Sequence, residues 1–303
     1  MTRTATAEKH TQLNGHVGAV YAVTPAGRPG EVFTAGSDGI IARWDIESGT
    51  SLGALAKIQA PVFSLLFHAE THTLWAGRED GGLHIIDTEN RRELKLLKNH
   101  EKGVFSILAA GNRIYTSGGD GTVAAVDPAT LETRQVTQLS DKKVRGLFYD
   151  TDTEELYAAA ADGMLRVCTA DLKTLLRQWP VHDEAANAIA MLPGHTLITG
   201  GRDARLKLWS LDGEPTLKEN IPAHNYAIYQ IKVFAEQGIF ITCSRDKTLK
   251  IWDITEHTVL YRISRSTAMG HRNSVNDFTY FPETGKLVSV SDDGTGMVWS
   301  IKC

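Results

Sequence analysis

The chain has 303 residues, of which 42% are hydrophobic, and its 32 Lys and Arg residues nearly balance its 36 Asp and Glu residues. This composition supports a sizeable core and excludes a disordered chain. The formal net charge of −4 gives no reason to expect nucleic acid as a partner. Three cysteines without paired spacing predict neither a disulfide framework nor a zinc site.

The first segment, from Thr4 to Leu13, alternates polar and apolar residues and lacks the apolar core of a secretory signal. No apolar run approaches the roughly 20 residues that a membrane-spanning helix needs. We therefore expect a cytoplasmic protein in a reducing environment, without a membrane partner.

One pattern then recurs along the chain: a short apolar run, a small or polar segment that ends in Asp, and alternating apolar residues. The marker aspartates are Asp38, Asp80, Asp120, Asp162, Asp203, Asp246 and Asp293, with spacings of 42, 40, 42, 41, 43 and 47 residues. Length alone favours about two domains. Because the seven units leave no stretch over, we predict instead one domain that spans residues 1–303.

Each unit has the periodicity of short strands joined by tight turns. The first unit reads VFTAG, a turn at residues 37–39, then IIARWDI, and the sixth reads FITCS, a turn at 245–247, then TLKIWDI. Such segments are rich in β-branched and aromatic residues with period-two alternation. A unit of 40–45 residues with four strands has the length of one propeller blade.

Two further residue types keep a fixed register to the marker aspartates. Six residues after the marker, four units carry Trp44, Trp209, Trp252 or Trp299. Between 20 and 22 residues before it, five units carry His16, His100, His182, His224 or His271. On these residues the whole chain resembles the WD-repeat (WD40) family. The resemblance implies an all-β fold, a seven-bladed β-propeller of four-stranded antiparallel blades.

A hydroxyl four residues before the marker completes four sets of side chains. The first is His16, Thr34, Asp38 and Trp44; the second is His182, Thr199, Asp203 and Trp209; the third is His224, Thr242, Asp246 and Trp252; the fourth is His271, Ser289, Asp293 and Trp299. The third unit has Val126 in place of Trp, and units two and four keep only Asp80 and Asp162. Where the His is absent, the hydroxyl and the indole are absent too, which is typical of a linked hydrogen-bond set. The resemblance implies a chain from Trp N–H to hydroxyl to His to Asp inside a blade.

Two catalytic or metal-binding interpretations compete with this structural one. Ser or Thr, His and Asp are catalytic-triad residue types, but an active site is normally unique and this set occurs four times. His68, Glu70 and His72 alternate as metal ligands on a strand could, but a solvated turn is favoured there. We therefore predict no enzyme activity, no catalytic residues, no cofactor and no metal site.

The ring is predicted to close through its first segment. In the strand order that the resemblance implies, the last strand, Gly296–Ile301, occupies the third place of its unit, so the seventh blade lacks a fourth strand. An open edge is a liability that natural sheets avoid. We expect Thr4–Leu13 to supply the missing strand.

The face that carries the His loops and the Asp turns, here called the top face, is the binding surface that the resemblance implies, because in the WD-repeat family this face commonly grips peptides. By register, its partner-binding residues are Tyr21, Phe63, Glu79, Phe105, Lys143, Arg145, Asn187, Arg202, Tyr229, Arg245, Asn276 and Asp292. Aromatic and Arg residues tend to dominate binding energy at interfaces. Two alternatives stay open: the aromatics pack between blades while the arginines are solvated, or the arginines pair with Asp183 or Glu184.

The sequence thus predicts a monomeric, non-catalytic interaction scaffold that binds a protein or peptide on its top face. Positive charge on units four to six favours an acidic or phosphorylated segment of the partner, because Arg forks match carboxylate and phosphate. The alternative is a propeller enzyme or small-ligand binder that uses the central funnel, with Glu79, Asn276 and Asp292 as its candidate cluster. The five surplus residues of the last spacing, Arg265–Met269, are either an ordinary loop insertion or a rim element that contacts a partner.

Overall fold

The computed structural model describes residues 3–303, and in that range the strands form seven separate four-stranded antiparallel sheets. Each sheet is one blade of a propeller. The all-β, seven-bladed fold predicted from the repeat period is confirmed.

The strands follow one another in chain order, starting with β1 (Thr6–Asn14). Blade 1 holds β2 (Val20–Pro25), β3 (Glu31–Gly36), β4 (Ile40–Asp45) and β5 (Ser51–Lys57). Blade 2 holds β6 (Val62–His68), β7 (Thr73–Arg78), β8 (Leu83–Asp87) and β9 (Arg92–Leu97). Blade 3 holds β10 (Val104–Ala110), β11 (Arg113–Gly118), β12 (Thr122–Val126) and β13 (Thr133–Gln138). Blade 4 holds β14 (Val144–Asp150), β15 (Glu155–Ala160), β16 (Met164–Thr169) and β17 (Leu175–Pro180).

The remaining three blades complete the ring. Blade 5 holds β18 (Ala186–Leu192), β19 (Thr196–Gly201), β20 (Arg205–Ser210) and β21 (Thr216–Pro222). Blade 6 holds β22 (Ile228–Phe234), a 3₁₀ turn (Ala235–Gln237), β23 (Ile239–Ser244), β24 (Leu249–Asp253) and β25 (Val259–Ile263). Helix α1 (Arg265–Ala268) precedes blade 7, which holds β26 (Val275–Phe281), β27 (Lys286–Ser291) and β28 (Thr295–Lys302).

The first strand of each blade lies innermost. These strands contact one another in sequence around a central channel, and β26 returns to β2. The second strand of each blade is buried on both faces, because its side chains alternate between two neighbouring blades. The apolar clusters therefore lie between blades; one of them joins Ile241 and Ile251 of blade 6 to Phe278 and Leu287 of blade 7.

The ring closes through the first strand, as predicted. Strand β1 pairs antiparallel with β28, with Ala7 opposite Ile301 and Leu13 opposite Gly296. Leu13 is buried in the cluster between blades 7 and 1. Arg3 continues this segment onto blade 6, where its guanidinium donates to the Gly238 carbonyl oxygen at 2.8 Å.

The surplus residues before blade 7, which the sequence left as either an ordinary loop insertion or a rim element, form the short helix α1. Ser264 and Thr267 cap it reciprocally, side chain to backbone, in a capping box. Across residues 3–303, no helix has the length and apolar character required to cross a bilayer.

Candidate functional site

Every innermost strand contains a register shift at its second residue, which is characteristic of a β-bulge. The residues left out of the ladder are Tyr21, Phe63, Phe105, Arg145, Asn187, Tyr229 and Asn276. A bulge leaves its extra residue unpaired and redirects its side chain. Six of the seven side chains line the mouth of the central channel, and only Asn187 does not.

Backbone hydrogen bonds hold two further positions of each blade beside this ring. One is the residue before the marker Asp, and the other lies two residues before the unpaired residue of the innermost strand. In blade 2 the Glu79 N–H donates to the Pro61 carbonyl oxygen at 2.9 Å, and in blade 7 the Asp292 N–H donates to the Ser274 carbonyl oxygen at 3.1 Å. The equivalent bond recurs in the other five blades, from Ser37 to Ala19, Gly119 to Gly103, Ala161 to Lys143, Arg202 to Ala185 and Arg245 to Ala227. Residues about 17 positions apart in sequence therefore meet on one face, as antiparallel neighbours do.

The channel itself has a volume of about 650 Å³. Below the bulge residues, blades 2 to 5 line it with apolar side chains such as Leu65, Ile107 and Leu147. Blades 6 and 7 contribute polar groups, among them Lys232 and Asp277, whose charged atoms lie 3.1 Å apart. One wall is thus apolar and the other polar.

Three aromatic rings form an arc along one side of the mouth. The rings of Tyr21 and Phe63 meet edge to face with centroids 5.3 Å apart, and Phe63 stacks on Phe105 at 5.5 Å. All three side chains are partly exposed. The aromatics therefore pack on one another at the channel mouth, rather than being buried between blades.

Arg145 continues the arc across the channel. Its guanidinium carbon lies 4.8 Å from the centre of the Phe105 ring and 5.6 Å from that of Tyr229, within the range of cation–π contacts. Within residues 3–303, no carboxylate oxygen lies within 4.0 Å of its nitrogens. Burial lowers the pKa of the guanidinium. The site thus holds a partly desolvated cation with no acidic partner.

A second cation adds to the positive charge here. The Lys143 ammonium lies 5.7 Å from the centre of the same Phe105 ring. Burial, together with the charges of Arg145 and Arg202, lowers the pKa of Lys143. A cation whose pKa is lowered by neighbouring cations favours an anion beside it.

Acidic groups occupy the other side of the mouth. The Asn276 amide donates to Asp292 Oδ1 and to the Val20 carbonyl oxygen, both at 2.8 Å. Burial and the charges of Asp292 and Glu79 raise the pKa of Tyr21. The mouth is therefore bipolar, with acids near blades 1, 2 and 7 and cations on blades 4 to 6.

One predicted partner-binding residue is not accessible at this face. Asn187 is buried, and its amide donates to the Ile228 carbonyl oxygen of the next blade at 3.1 Å. Its assignment as a contact residue is corrected: the short amide satisfies a backbone acceptor between blades 5 and 6.

The two remaining arginines lie on the rim outside the channel. Arg202 Nε lies 3.2 Å from Glu184 Oε2, which matches one of the pairings left open by the sequence. Both side chains are more than half exposed, at 68% and 54%, and such a surface pair stabilises little. Arg245 is exposed, and its guanidinium carbon lies 5.9 Å from the Tyr226 ring centre. Both guanidinium groups can therefore turn toward a ligand at small cost.

The four complete side-chain sets lie inside the blades as linked hydrogen bonds, and blade 6 shows the connections. His224 Nδ1 donates to Asp246 Oδ2 at 2.9 Å. The other imidazole nitrogen, Nε2, lies 2.7 Å from Thr242 Oγ1, and Trp252 Nε1 donates to that oxygen at 3.0 Å. The His Nδ1 to Asp contact recurs in the sets that begin at His16, His182 and His271.

The hydroxyl oxygen occupies the same central place in these three other sets. The imidazole Nε2 and the indole N–H meet at Thr34 in blade 1, at Thr199 in blade 5 and at Ser289 in blade 7. The distances from Nε2 to the hydroxyl oxygen are 2.7, 3.0 and 2.9 Å in that order. All three hydroxyl side chains are buried, so none of them is accessible to a partner. Burial and repetition together fit a structural role for the sets.

The incomplete set of unit three, which lacks the Trp, is linked in a different way. In blade 3, the Thr122 hydroxyl lies 2.6 Å from His100 Nδ1 and donates to Asp120 at 2.7 Å, so it stands between the two. His100 Nε2 keeps the usual contact, 2.8 Å from Thr116 Oγ1. The link from His to Asp therefore survives without the Trp.

The marker aspartates of units two and four, which lack the other members of the set, have partners of a different type. An arginine takes the place of the missing His: Arg78 pairs with Asp80, and Arg166 donates to Asp162 at 2.7 Å. Ser140, which stands in the His register, also donates to Asp162 at 2.8 Å.

The segment from His68 to His72 is a strand end followed by a turn. His68 is buried and its Nδ1 lies 2.8 Å from Thr71 Oγ1, whereas His72 is exposed in the turn. Across residues 3–303, no three His, Cys, Asp or Glu side chains come together as a metal site requires.

The buried histidines predict that acid destabilises the fold. Burial lowers the pKa of His100 and His224 below 6.5, although the carboxylates of Asp120 and Asp246 partly oppose the shift. The folded state favours neutral imidazole, so this stability is complete above about pH 6.5 and is lost as the pH falls below it. Thermal melts from about pH 8 to about pH 5 should show a falling Tm, with a shallower slope for His100→Gln. A Tm that is flat over this range would contradict the prediction.

Comparisons with known proteins agree with this architecture. The family model described as WD domain, G-beta repeat, matches residues 173–210, 215–253 and 263–300. Each matched segment contains one complete His, hydroxyl, Asp and Trp set. The WD40 β-propeller domain of Doa1 shares the fold with a TM-score of 0.86, at 17% identity over 98% of this chain and 97% of that one. The chain is therefore a seven-bladed β-propeller that contains WD repeats.

Curated relatives are matched by this chain over only part of their own length. Nuclear distribution protein nudF of Emericella nidulans is 26% identical over 83% of this chain and 62% of its own. Pre-mRNA-processing factor 17 of Saccharomyces cerevisiae is 23% identical over 42% of this chain and 37% of its own length. Cilia- and flagella-associated protein 52 of Mus musculus is 22% identical over 89% of this chain and 43% of its own length. The chain thus spans between about a third and two thirds of these relatives.

Proposed function

We propose that this protein is a non-catalytic scaffold that binds a protein or peptide partner on its top face, around the channel mouth. The observation that carries the proposal is Arg145, a partly desolvated cation set between Phe105 and Tyr229, with no carboxylate oxygen of residues 3–303 within 4.0 Å of its nitrogens. Half-exposed aromatic and Arg side chains at a concave site are typical binding hot spots. We also propose that it acts as a monomer in the cytoplasm, which fits its buried free thiols Cys168 and Cys243.

The charge pattern supports a more specific partner. We propose that an acidic or phosphorylated segment crosses blades 4 to 6, near Lys143, Arg145, Arg202 and Arg245. An apolar residue of the same segment reaches Phe63, Phe105 or Tyr229. A carboxylate or phosphate there pairs with Lys143, whose pKa burial and the charges of Arg145 and Arg202 lower.

Reversal of the rim charge tests this proposal. Arg202→Glu with Arg245→Glu should reduce capture of partner proteins from a lysate by roughly tenfold, because charge-assisted contacts are lost. Capture by the wild type should weaken with salt, and the variant should lose that dependence. The melting temperature should stay unchanged, since both side chains are exposed.

The double substitution Arg28→Glu with Lys218→Glu is the matched control, because it changes the net charge equally at exposed sites away from the mouth. It should capture partners as the wild type does. Lower stability with intact capture in the Arg202/Arg245 variant would contradict the acidic-segment proposal and leave the scaffold itself standing.

The channel volume keeps a second candidate function open. A cavity of about 650 Å³ with one apolar and one polar wall is of the size that small organic ligands occupy. Native mass spectrometry of the purified protein separates the two: a scaffold gives the bare chain mass, and a funnel enzyme or ligand binder retains a small molecule.

A further inference from the structure

Helix α1 and the turn after it form a fixed projection on the rim of blade 7. Thr267 N–H donates to Ser264 Oγ at 3.3 Å, and the Thr267 hydroxyl donates to the Arg262 carbonyl oxygen at 2.7 Å. The N–H groups of Ala268 and Gly270 both donate to the Ser264 carbonyl oxygen at 3.0 Å. These bonds close the segment on itself, so its backbone has a defined conformation.

Met269 ends this projection in an unfavourable conformation. Its φ is 54°, in the left-handed region, and its side chain is 72% exposed. A left-handed backbone is unfavourable for a non-glycine residue, and such strain tends to occur at functional sites. An exposed thioether gains no burial in return. The projection therefore holds a flexible apolar side chain in solvent.

A cleft of about 440 Å³ lies beside Met269, between α1 and the outer edge of blade 7. Lys9 on β1, Arg265 on α1 and Arg272 after it line this cleft, and the buried Met297 side chain is also part of its lining. None of its residues belongs to the channel lining. The cleft is thus a separate site from the channel mouth.

The three cations in the cleft have no acidic partners. Within residues 3–303, no carboxylate oxygen lies within 4.0 Å of their charged nitrogens, and Lys9 Nζ instead donates to Gln12 Oε1 at 2.6 Å. Asp293 is the one acid that lines the cleft in this range. Its carboxylate already accepts from His271 at 3.0 Å, from the Thr295 hydroxyl at 2.6 Å and from the Arg272 N–H at 2.9 Å.

We propose that this cleft is a second docking site, for an acidic peptide segment of a partner protein that carries an apolar side chain between its carboxylates. The carboxylates pair with Lys9, Arg265 and Arg272, which offer the complementary charge. The apolar side chain packs on Met269, since methionine adapts to differently shaped partners. The proposal is independent of binding at the channel mouth.

The test uses a fluorescein-labelled peptide of alternating Glu and Leu residues, with fluorescence polarisation as the measurement. The full chain should bind it at least roughly tenfold more tightly than the alternating Gln–Leu and Glu–Gly peptides. Arg265→Glu with Arg272→Glu should weaken binding by roughly tenfold or more, and the matched Arg28→Glu with Lys218→Glu control should not.

Three results would overturn the proposal: no saturable binding by the wild type, equal binding by the Arg265/Arg272 variant, or equal loss in the control. Arg145→Gln separates the two sites. Loss of the peptide in that variant alone would place the probe at the channel mouth and also reject the cleft.

Met269→Gly distinguishes a binding role from a structural one. Glycine relieves the left-handed backbone but lacks the side chain. We expect weaker peptide binding at an unchanged or higher melting temperature. Full binding by this variant, or a marked fall in melting temperature, would contradict the assignment of Met269 as a contact residue.

Discussion

Asp246→Ala should lower the free energy of unfolding by roughly 3 kcal/mol, because it leaves several buried donors without an acceptor. The Asp246 carboxylate accepts from His224, from the N–H groups of Asn225 and Thr248, and from the Thr248 hydroxyl at 2.6 Å. Burial opposes its ionisation, but these bonds outweigh burial and hold its pKa well below the ordinary value. Denaturant melts of the variant measure the loss.

Asp80→Ala is the matched control in a blade that lacks the His, the hydroxyl and the Trp. The Asp80 side chain is 55% exposed and pairs with Arg78, so its loss should cost well under 1 kcal/mol. Asp162→Ala should fall between the two, because the Asp162 side chain is only 25% exposed and accepts from Ser140 as well as from Arg166. Equal losses at Asp246 and Asp80 would contradict the linked-network interpretation.

The fold was predictable because each unit carries its own turn chemistry. The marker Asp lies in the turn between the second and third strands, where its side chain accepts the backbone N–H two residues on, as Asp38 does from Ile40 at 3.0 Å. The numbers of residues that separate this Asp from the His and from the Trp then fix which strands lie beside it. Seven repetitions of one such unit can bury their faces only against one another.

The positions of the channel residues were predictable, but their orientations were not. Register alone identifies the second residue of each innermost strand, and a regular strand would pair this residue in the ladder. The bulge releases it, so Tyr21 and Phe63 reach the channel mouth. Asn187 has the same bulge, yet its short amide finds the Ile228 carbonyl oxygen instead. A backbone acceptor on the next blade cannot be deduced from one strand.

Contacts between distant blades are the part that sequence could not supply. Arg145 belongs to blade 4 and lies over Tyr229 of blade 6, a contact set by the curvature of the closed ring. The pairing of Arg166 with Asp162 is local, and the sequence contains a signal for it. Arg166 lies four residues after Asp162, the one marker whose unit has a Ser, Ser140, in the His register. The cleft beside Met269 joins residues at the two ends of the chain, and so it appears only in three dimensions.

Removal of residues 1–13 should lower the free energy of unfolding by about 5 kcal/mol or more, which is comparable with the whole stability of many domains. The deletion takes away most of β1, and with it the ladder from Thr6–Lys302 to Leu13–Gly296. It also uncovers Met297 and Ile301, which pack in the cluster between blades 6 and 7. An unpaired β28 edge then invites aggregation. Thermal and denaturant melts of the shortened chain measure the effect.

A synthetic peptide of residues 1–14 provides the control for this truncation. If these residues act as a strand of the ring, adding the peptide in excess should restore the melting temperature of the shortened chain, because binding to the folded state alone stabilises it. A scrambled peptide of the same composition should not restore it, since the alternation of buried Ala5, Ala7 and Leu13 with exposed residues is lost. A shortened chain that melts like the full one, or rescue by both peptides equally, would show that closure of blade 7 does not depend on this strand.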